Sequence, residues 1–355
     1  MSGELRVIVY TGSSRIFADA ADVALEMIDA INASRHSVCA VIAENGDPIF
    51  DAARSRNFIP IPLHTSLIGS PSKIREAISQ PNHDYTNWLE TLKQLAPDCG
   101  VSFYANWIPK ELHQLPKFKF LNIHPSPLPL FAGYEVERFH VLKDYRNTCG
   151  TIHYPEEYFD CGTIIARGNS VVLPEDITPM DVYEIVMRAC FPPLIDIIDK
   201  LAHNISIVGE PQTDELIMPA TQKNACIESV INWASDTHRQ IDCRLRAFNT
   251  SPNTMVLKAQ VGGKLWSVPD LITDDGDYKS CGEIGKQIGN YNGNGAFANA
   301  PVIRTIEGIA ILRLGTVCKS CNENVSLKPN ETIPRRRPRH VLTNDERKMI
   351  VFDCV

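Results

Sequence analysis

The chain has 355 residues, 44% of them hydrophobic and 22% charged, with 35 basic against 42 acidic side chains and a formal net charge of −7. That composition excludes a mainly disordered, collagen-like or coiled-coil protein, and the length exceeds the ~100–200 residues of one typical domain. An acidic balance also disfavours a surface built for nucleic acid, because basic side chains are what hold a polyanion.

The sequence opens without a basic segment leading into a secretory apolar stretch, and no apolar run reaches the ~18 residues needed to span a bilayer. Eleven cysteines, an odd number without framework spacing, fit a reducing compartment. A cytoplasmic protein with no membrane partner is expected.

In chain order, residues 5–10 (LRVIVY) form a β-rich run, and 15–32 carry Ile16, Phe17, Val23, Met27 and Ile28 at helical spacing. Between them, Thr11-Gly12-Ser13-Ser14 reads first as a helix N-cap. A phosphate contact comes second, because phosphate loops need more glycines at fixed offsets. A strand at 37–42, a helix at 50–56 and a strand at 59–63 follow, then a helix at 86–95 and buried strands at 99–104 and 118–123. Strands alternating with helices predict an α/β fold around a doubly wound, mostly parallel sheet. Two extended runs, 151–154 and 164–172, flank a turn containing Asp160-Cys161-Gly162. Thr178-Pro179 then starts a long helix in which Pro192-Pro193 should cause a kink or break, since each proline removes a donor and crowds the preceding turn.

Beyond residue 215, short strand-like or amphipathic pieces at Trp233, 245–248, 256–261, 265–268 and 309–314 alternate with Gly and Asn, predicting a small β-rich domain. The stretch GNYNGNG at 289–295 reads as a loop, and the run Arg335–Arg339 as a solvated charge patch. The expected division is 1–215, 216–318 and a surface-packed tail, 319–355.

The most informative chemistry lies in FLNIHPSPLP at 120–129. In a strand, Asn122 and His124 at i and i+2 face the same way, here at the carboxyl edge of a parallel strand, where open α/β sheets take ligands. A capped strand end with a satisfied histidine is the competing reading. Asp160-x-Gly162 taken alone is ordinary turn chemistry. Cys318-x-x-Cys321 lacks a second ligand pair, so no metal is expected.

Together, Asn122-x-His124-Pro-Ser-x-Leu-Pro129, Gly150-Thr-Ile-His153 and Asp160-x-Gly162-Thr-Ile-Ile165, in that order, resemble the folate-dependent formyltransferase family. Ala96-Pro97-Asp98, VSFY at 101–104 and Ile108-Pro109 extend the likeness upstream, so that it covers roughly residues 5–200. A weaker likeness in Ile231-Asn-Trp233 and Arg244-Leu-Arg246-Ala-Phe-Asn-x-x-Pro252 is similar to the start of the carboxyl-terminal β-barrel of the longer members, which implies an OB-like second domain.

The resemblance implies 10-formyltetrahydrofolate as co-substrate and a primary amine as acceptor. Attack on the formyl carbon builds a tetrahedral centre whose oxygen becomes an anion. Asn122 and His124 would stabilise it as hydrogen-bond donors, each worth ~3 kcal/mol. Asp160 would orient His124, favour its protonated ring and help remove the ammonium proton. Asn106, Trp107, Ile108, Glu157, Tyr158 and Phe159 fall where the family inserts the pterin, with core packing as the alternative for the apolar ones.

Two departures bear on the acceptor. Pro127-Leu-Pro-Leu-Phe-Ala-Gly133-Tyr134-Glu135 lacks the basic residues many relatives carry there, and Ile42-Ala-Glu-Asn-Gly-Asp47 is short and acidic where tRNA-acting members present a basic loop. The expected acceptor is therefore a small soluble amine, first an amino sugar on a nucleotide. Alternatives are a hydroxylated amino-acid amine, methionyl-tRNA, hydrolysis of the formyl donor, and a non-catalytic folate-binding module. Nucleic acid is disfavoured as a partner, and a homodimer stays open.

Overall fold

A computed structural model of the protein describes residues 3–11, 20–56, 58–68, 71–80, 82–103, 107–156, 159–212, 218–250, 255–293, 295–319 and 342–352. The chain divides into two compact units, one of Met1–Gly133, Asn147–Val172 and Tyr183–Pro219, the other of Tyr134–Arg146, Leu173–Val182 and Ala220–Val355.

In chain order the elements begin with β1 (Arg6–Thr11), α1 (Ala20–Ala33), β2 (Ser37–Ala43), α2 (Pro48–Ser55), β3 (Pro60–Pro62), α3 (Pro71–Ser79), α4 (His83–Gln94), β4 (Cys99–Phe103), α5 (Lys110–His113) and β5 (Phe120–His124). They continue with α6 (Val136–Leu142), which belongs to the second unit, then β6 (Asn147–Thr148), β7 (Thr151–His153), β8 (Ile164–Arg167), β9 (Val171–Val172) and α7 (Pro179–Ala202).

The first unit is built on a seven-stranded sheet of order β3-β2-β1-β4-β5-β7-β8. Strands β3 through β5 run parallel, while β7 and β8 join antiparallel. Strand β4 is buried at every position and β1 at all but its first, so both read as apolar runs rather than as alternations. Strand order reverses beside β1, with β2 and β3 added on one side and β4 and β5 on the other, which is the doubly wound arrangement expected.

Local chemistry sets the element boundaries. Asp47 caps α2 by accepting the Ile49 N–H at 2.9 Å, with Pro48 at the first helical position. Helix α3 escaped the sequence reading because Ile74 and Ile78 are its only large apolar residues.

The expected break at Pro192-Pro193 does not occur: α7 runs for 24 residues through both prolines. Pro193 cannot donate to the Ala189 carbonyl one turn back, and the Asn169 N–H serves that oxygen instead, at 2.9 Å.

The second unit adds α8 (Gln222–Glu228), α9 (His238–Asn249), β10 (Lys258–Val261), β11 (Lys264–Ser267), β12 (Asp270–Asp274), β13 (Gln287–Tyr291), β14 (Ala300–Arg304), β15 (Ile309–Arg313), β16 (Val317–Cys318), α10 (Asn344–Arg347) and β17 (Ile350–Phe352). Its strands form a three-stranded sheet, β10-β11-β16, and a five-stranded sheet, β12-β15-β14-β13-β17, with every pairing antiparallel. Gly262 and Gly263 join β10 to β11 with φ of +57° and +75°, values that suit glycine in a two-residue hairpin turn.

Three readings of this unit change. Residues 245–248 are helical, within α9, which Thr237 and Gln240 start with a reciprocal capping box. Residues 289–291, read as loop, lie in β13. Weakly periodic residues 350–352 form β17 at the edge of the larger sheet, paired with β13. Asn249 ties α9 to the strands, donating to the carbonyls of Val268 (2.6 Å) and Pro269 (3.0 Å) and accepting the Leu257 N–H (3.0 Å). Among the described residues no helix is long and apolar enough to cross a membrane.

Candidate active site

Strand β5 lies between parallel β4 and antiparallel β7, and its register sets Asn122 opposite Ser102 on one side and His153 on the other, with His124 opposite Thr151. Asn122 and His124 share one face of the strand, as their spacing predicts. The Asn122 carboxamide is held at both ends: Ser102 Oγ donates to Oδ1 at 2.8 Å, and Nδ2 lies 3.0 Å from His153 Nε2.

His124 is 5% exposed. Its Nδ1 lies 3.4 Å from Asp160 Oδ1 and its Nε2 lies 3.2 Å from the Phe131 carbonyl oxygen. Both ring nitrogens therefore face acceptors, and a protonated ring can donate to each. His153 approaches the same carboxylate, with Nε2 at 3.8 Å from Asp160 Oδ1. The structure thus brings Asn122, His124 and Asp160 together around one small volume, with His153 as a fourth member.

Asp160 is held by its turn. Its φ is +55°, a left-handed conformation that Asp tolerates better than most residues. Its Oδ2 accepts the Gly133 N–H at 2.9 Å, and the Gln212 side-chain amide donates to the carbonyls of Asp160 (2.8 Å) and Gly162 (2.6 Å). Gly162 has no room for a side chain, since a Cβ there would stand 1.6 Å from the Tyr154 carbonyl oxygen.

The loop after His124 is tied down with equal care. Thr151 Oγ1 donates to the Ser126 carbonyl (2.6 Å) and accepts the Leu128 N–H (3.0 Å). Arg167 donates to the Leu128 carbonyl (2.7 Å) and to Thr151 Oγ1 (3.0 Å), and Ser126 Oγ donates to the Leu130 carbonyl (2.6 Å). These bonds fix the segment that carries the Phe131 carbonyl to His124.

Burial is the largest influence on His153 and lowers its pKa to about 4; the His124 ring pushes in the same direction, while Asp160 and the hydrogen bond to the Tyr154 carbonyl oppose it. At neutral pH the ring is uncharged.

Trp107 and Ile108 are buried, at 9% and 6% exposure, in the apolar cluster that includes Tyr10, Ile42, Leu63 and Leu112, and partly buried Phe159 packs against that cluster. The Arg75 guanidinium lies 4.9 Å above the Trp107 ring. Trp107 and Ile108 are thus core residues whose cluster reaches the Asp160 turn through Phe159. Asn106, Glu157, Tyr158, Gly12–Ser14, Cys321 and Arg335–Arg339 lie outside the described residues.

Sequence reasoning passed over Ser102, His153, Thr151 and Arg167 as site residues. His153 and Thr151 stand in the Gly150-Thr-Ile-His153 motif, so a signal existed, but their contacts depend on cross-strand register. Ser102 and Arg167 carried no signal. In the second unit His238, Asp275 and Glu307 bring potential metal-binding atoms within 4.8 Å of one another. There His238 Nδ1 pairs directly with Asp275 and the His238 backbone N–H with Glu307, as suits the start of α9.

Asn122 and His124, two side chains with N–H groups to donate, thus stand at the end of β5 in a doubly wound sheet beside the Asp160 carboxylate. Residues 15–189 match the Formyl transferase family, and the chain belongs to the folate-dependent formyltransferases, whose activity is formyl transfer from formyl-folate. A methionyl-tRNA formyltransferase of Legionella pneumophila (strain Corby) is 27% identical over 252 residues, covering 71% of this chain and 77% of its own length.

Two solved structures share the fold. HypX from Aquifex aeolicus, in complex with tetrahydrofolic acid, matches 87% of this chain and 44% of its own at a TM-score of 0.52 and 15% identity. A 4-N formyltransferase from Francisella tularensis matches 72% of this chain and 93% of its own at a TM-score of 0.51 and 17% identity.

Proposed function

We propose that this chain moves the formyl group of 10-formyltetrahydrofolate to a primary amine of a small soluble acceptor, with an amino sugar carried on a nucleotide as the first candidate. The observation that carries the reading is the convergence of the Asn122 carboxamide, the His124 imidazole and the Asp160 carboxylate. The acceptor nitrogen attacks the formyl carbon, and the carbonyl electrons move onto oxygen. Asn122 donates an N–H to that oxygen. His124 Nε2–H turns to it from its 3.2 Å contact with the Phe131 carbonyl while Nδ1 keeps to Asp160. Collapse breaks the bond to the folate nitrogen, which takes up a proton as the acceptor nitrogen loses one. The 3.4 Å approach of His124 Nδ1 to Asp160 supports assigning that exchange to this pair. Partly buried Phe159, which packs against the cluster that holds Trp107 and Ile108, offers apolar contact of the kind a flat pterin would take, and the family resemblance adds Asn106, Glu157 and Tyr158 to the donor-binding residues.

A second reading, methionyl-tRNA as the acceptor, is favoured by the relative that covers 71% of this chain. Against it stand the net charge of −7 and the lack of any basic residue in the Glu44-Asn45-Gly46-Asp47 segment. The deciding experiment incubates the protein with 10-formyltetrahydrofolate and, separately, nucleotide-linked amino sugars, hydroxylated amino acids and methionyl-tRNA, with mass detection of a gain of about 28 Da. A formylated sugar is the expected product, and a formylated tRNA would establish the second reading. Formate release without any amine would identify a hydrolase, and donor binding without turnover a folate-binding module.

A further inference from the structure

We propose that Ser102 and His153 are positioning residues that fix which end of the Asn122 carboxamide faces the reacting carbon. The inference deepens the formyl-transfer reading and rests on it. A carboxamide has a donor end and an acceptor end of nearly the same shape, and only the donor end can stabilise an oxyanion, so its orientation decides whether the residue helps or hinders.

The hydrogen bonds around Asn122 settle that orientation from one end. The Tyr154 carbonyl can only accept, so His153 Nδ1, 3.0 Å away, is the donor. With its proton on Nδ1, the neutral, buried ring presents a lone pair at Nε2. Whatever stands 3.0 Å from that lone pair must offer a hydrogen, which assigns the NH2 end of Asn122 to His153. The carbonyl end then meets Ser102 Oγ at 2.8 Å, and the hydroxyl donates. Its other acceptor, the Leu121 carbonyl, is 3.5 Å away and competes poorly.

Reversing the amide would set its carbonyl oxygen against the Nε2 lone pair, so the chain Ser102→Asn122→His153→Tyr154 admits one direction, and the second Nδ2–H is left for the forming oxyanion. In the same tautomer Nε2 has no proton to give Asp160, 3.8 Å distant, which leaves that carboxylate to His124.

Ser102 is fully buried, and Ser102→Ala removes one oxygen without adding bulk. With the acceptor found by the product assay, Ser102→Ala is expected to lower kcat roughly tenfold and His153→Phe roughly a hundredfold, part of the effect of losing an oxyanion donor. The KM for the formyl donor should stay within about twofold, because the ground state does not use the oriented N–H. His153→Gln, whose side-chain carbonyl can accept the Asn122 N–H, is expected to recover most of the rate, which a merely space-filling role would not allow.

A second measurement does not depend on turnover: in protein labelled with 15N-histidine, the His153 ring at pH 7 should show a protonated Nδ1 and an unprotonated Nε2. A proton on Nε2 would overturn the proposal, as would wild-type kcat in both Ser102→Ala and His153→Phe. Absence of transfer by the wild-type protein would instead overturn the functional reading, and the ring-nitrogen spectrum would still decide the hydrogen-bond direction.

Discussion

Gly162→Ala tests how tightly the Asp160 turn sets the chemistry. The added Cβ would stand 1.6 Å from the Tyr154 carbonyl oxygen. An ordinary carbon–oxygen contact is about 3.3 Å, so turn and strand end must part by roughly 1.7 Å. Three sets of bonds lie in the path of that displacement: Tyr154 N–H to the Thr163 carbonyl (3.0 Å), the two Gln212 contacts (2.8 and 2.6 Å), and the His124–Asp160 pair (3.4 Å). Losing one or two of the neutral bonds costs about 1–3 kcal/mol, and moving a catalytic group by ~1 Å costs on the order of 100-fold in rate. The expected result is a protein a few degrees less stable in thermal melts, with kcat reduced about 100-fold in the product assay. Wild-type kcat and melting temperature together would refute the claim that this turn places the carboxylate.

His124→Asn should lower kcat by about 100- to 1,000-fold while formyl-donor affinity, read by equilibrium binding, changes only a few-fold, since the charge His124 meets exists only in the transition state; near-normal turnover would remove His124 from its role. Stability should fall as pH drops from 6.5 toward about 4, because in that window the unfolded chain binds a proton that folded His153 refuses. The loss approaches about 3 kcal/mol at most, from some 2.5 pKa units at 1.36 kcal/mol each. Denaturant titrations at pH 7 and pH 4.5 on wild type and His153→Gln should show a smaller pH effect in the variant, and equal slopes would contradict the buried, neutral ring.

Much of the first unit was legible because its signals are local. The apolar runs of β1 and β4 announce buried parallel strands, and Asn122 and His124 share a face by strand geometry alone. The partners of those side chains were not legible. Ser102 meets Asn122 from β4 and His153 meets it from β7, and only the register of three strands reveals that one serine among many is the donor. The 245–248 segment misled for a related reason: Leu245, Ala247 and Phe248 are apolar enough for a strand, and the Thr237–Gln240 capping box that makes them helical lies a full two turns upstream. Strand β17 stayed hidden because an edge strand of three residues owes its form to its neighbour β13 more than to its own sequence.

The Asn169 amide that serves the Ala189 carbonyl gives α7 a dependence most helices lack. In a peptide cut from residues 179–202 only water could serve that oxygen, and nothing would hold the two halves in line across the prolines, so they would not be expected to cohere in isolation. Rod-like continuity across Pro192-Pro193 is a tertiary property, lent by the loop between β8 and β9, and protection of that one amide from solvent exchange would report when the rod and the loop have come together.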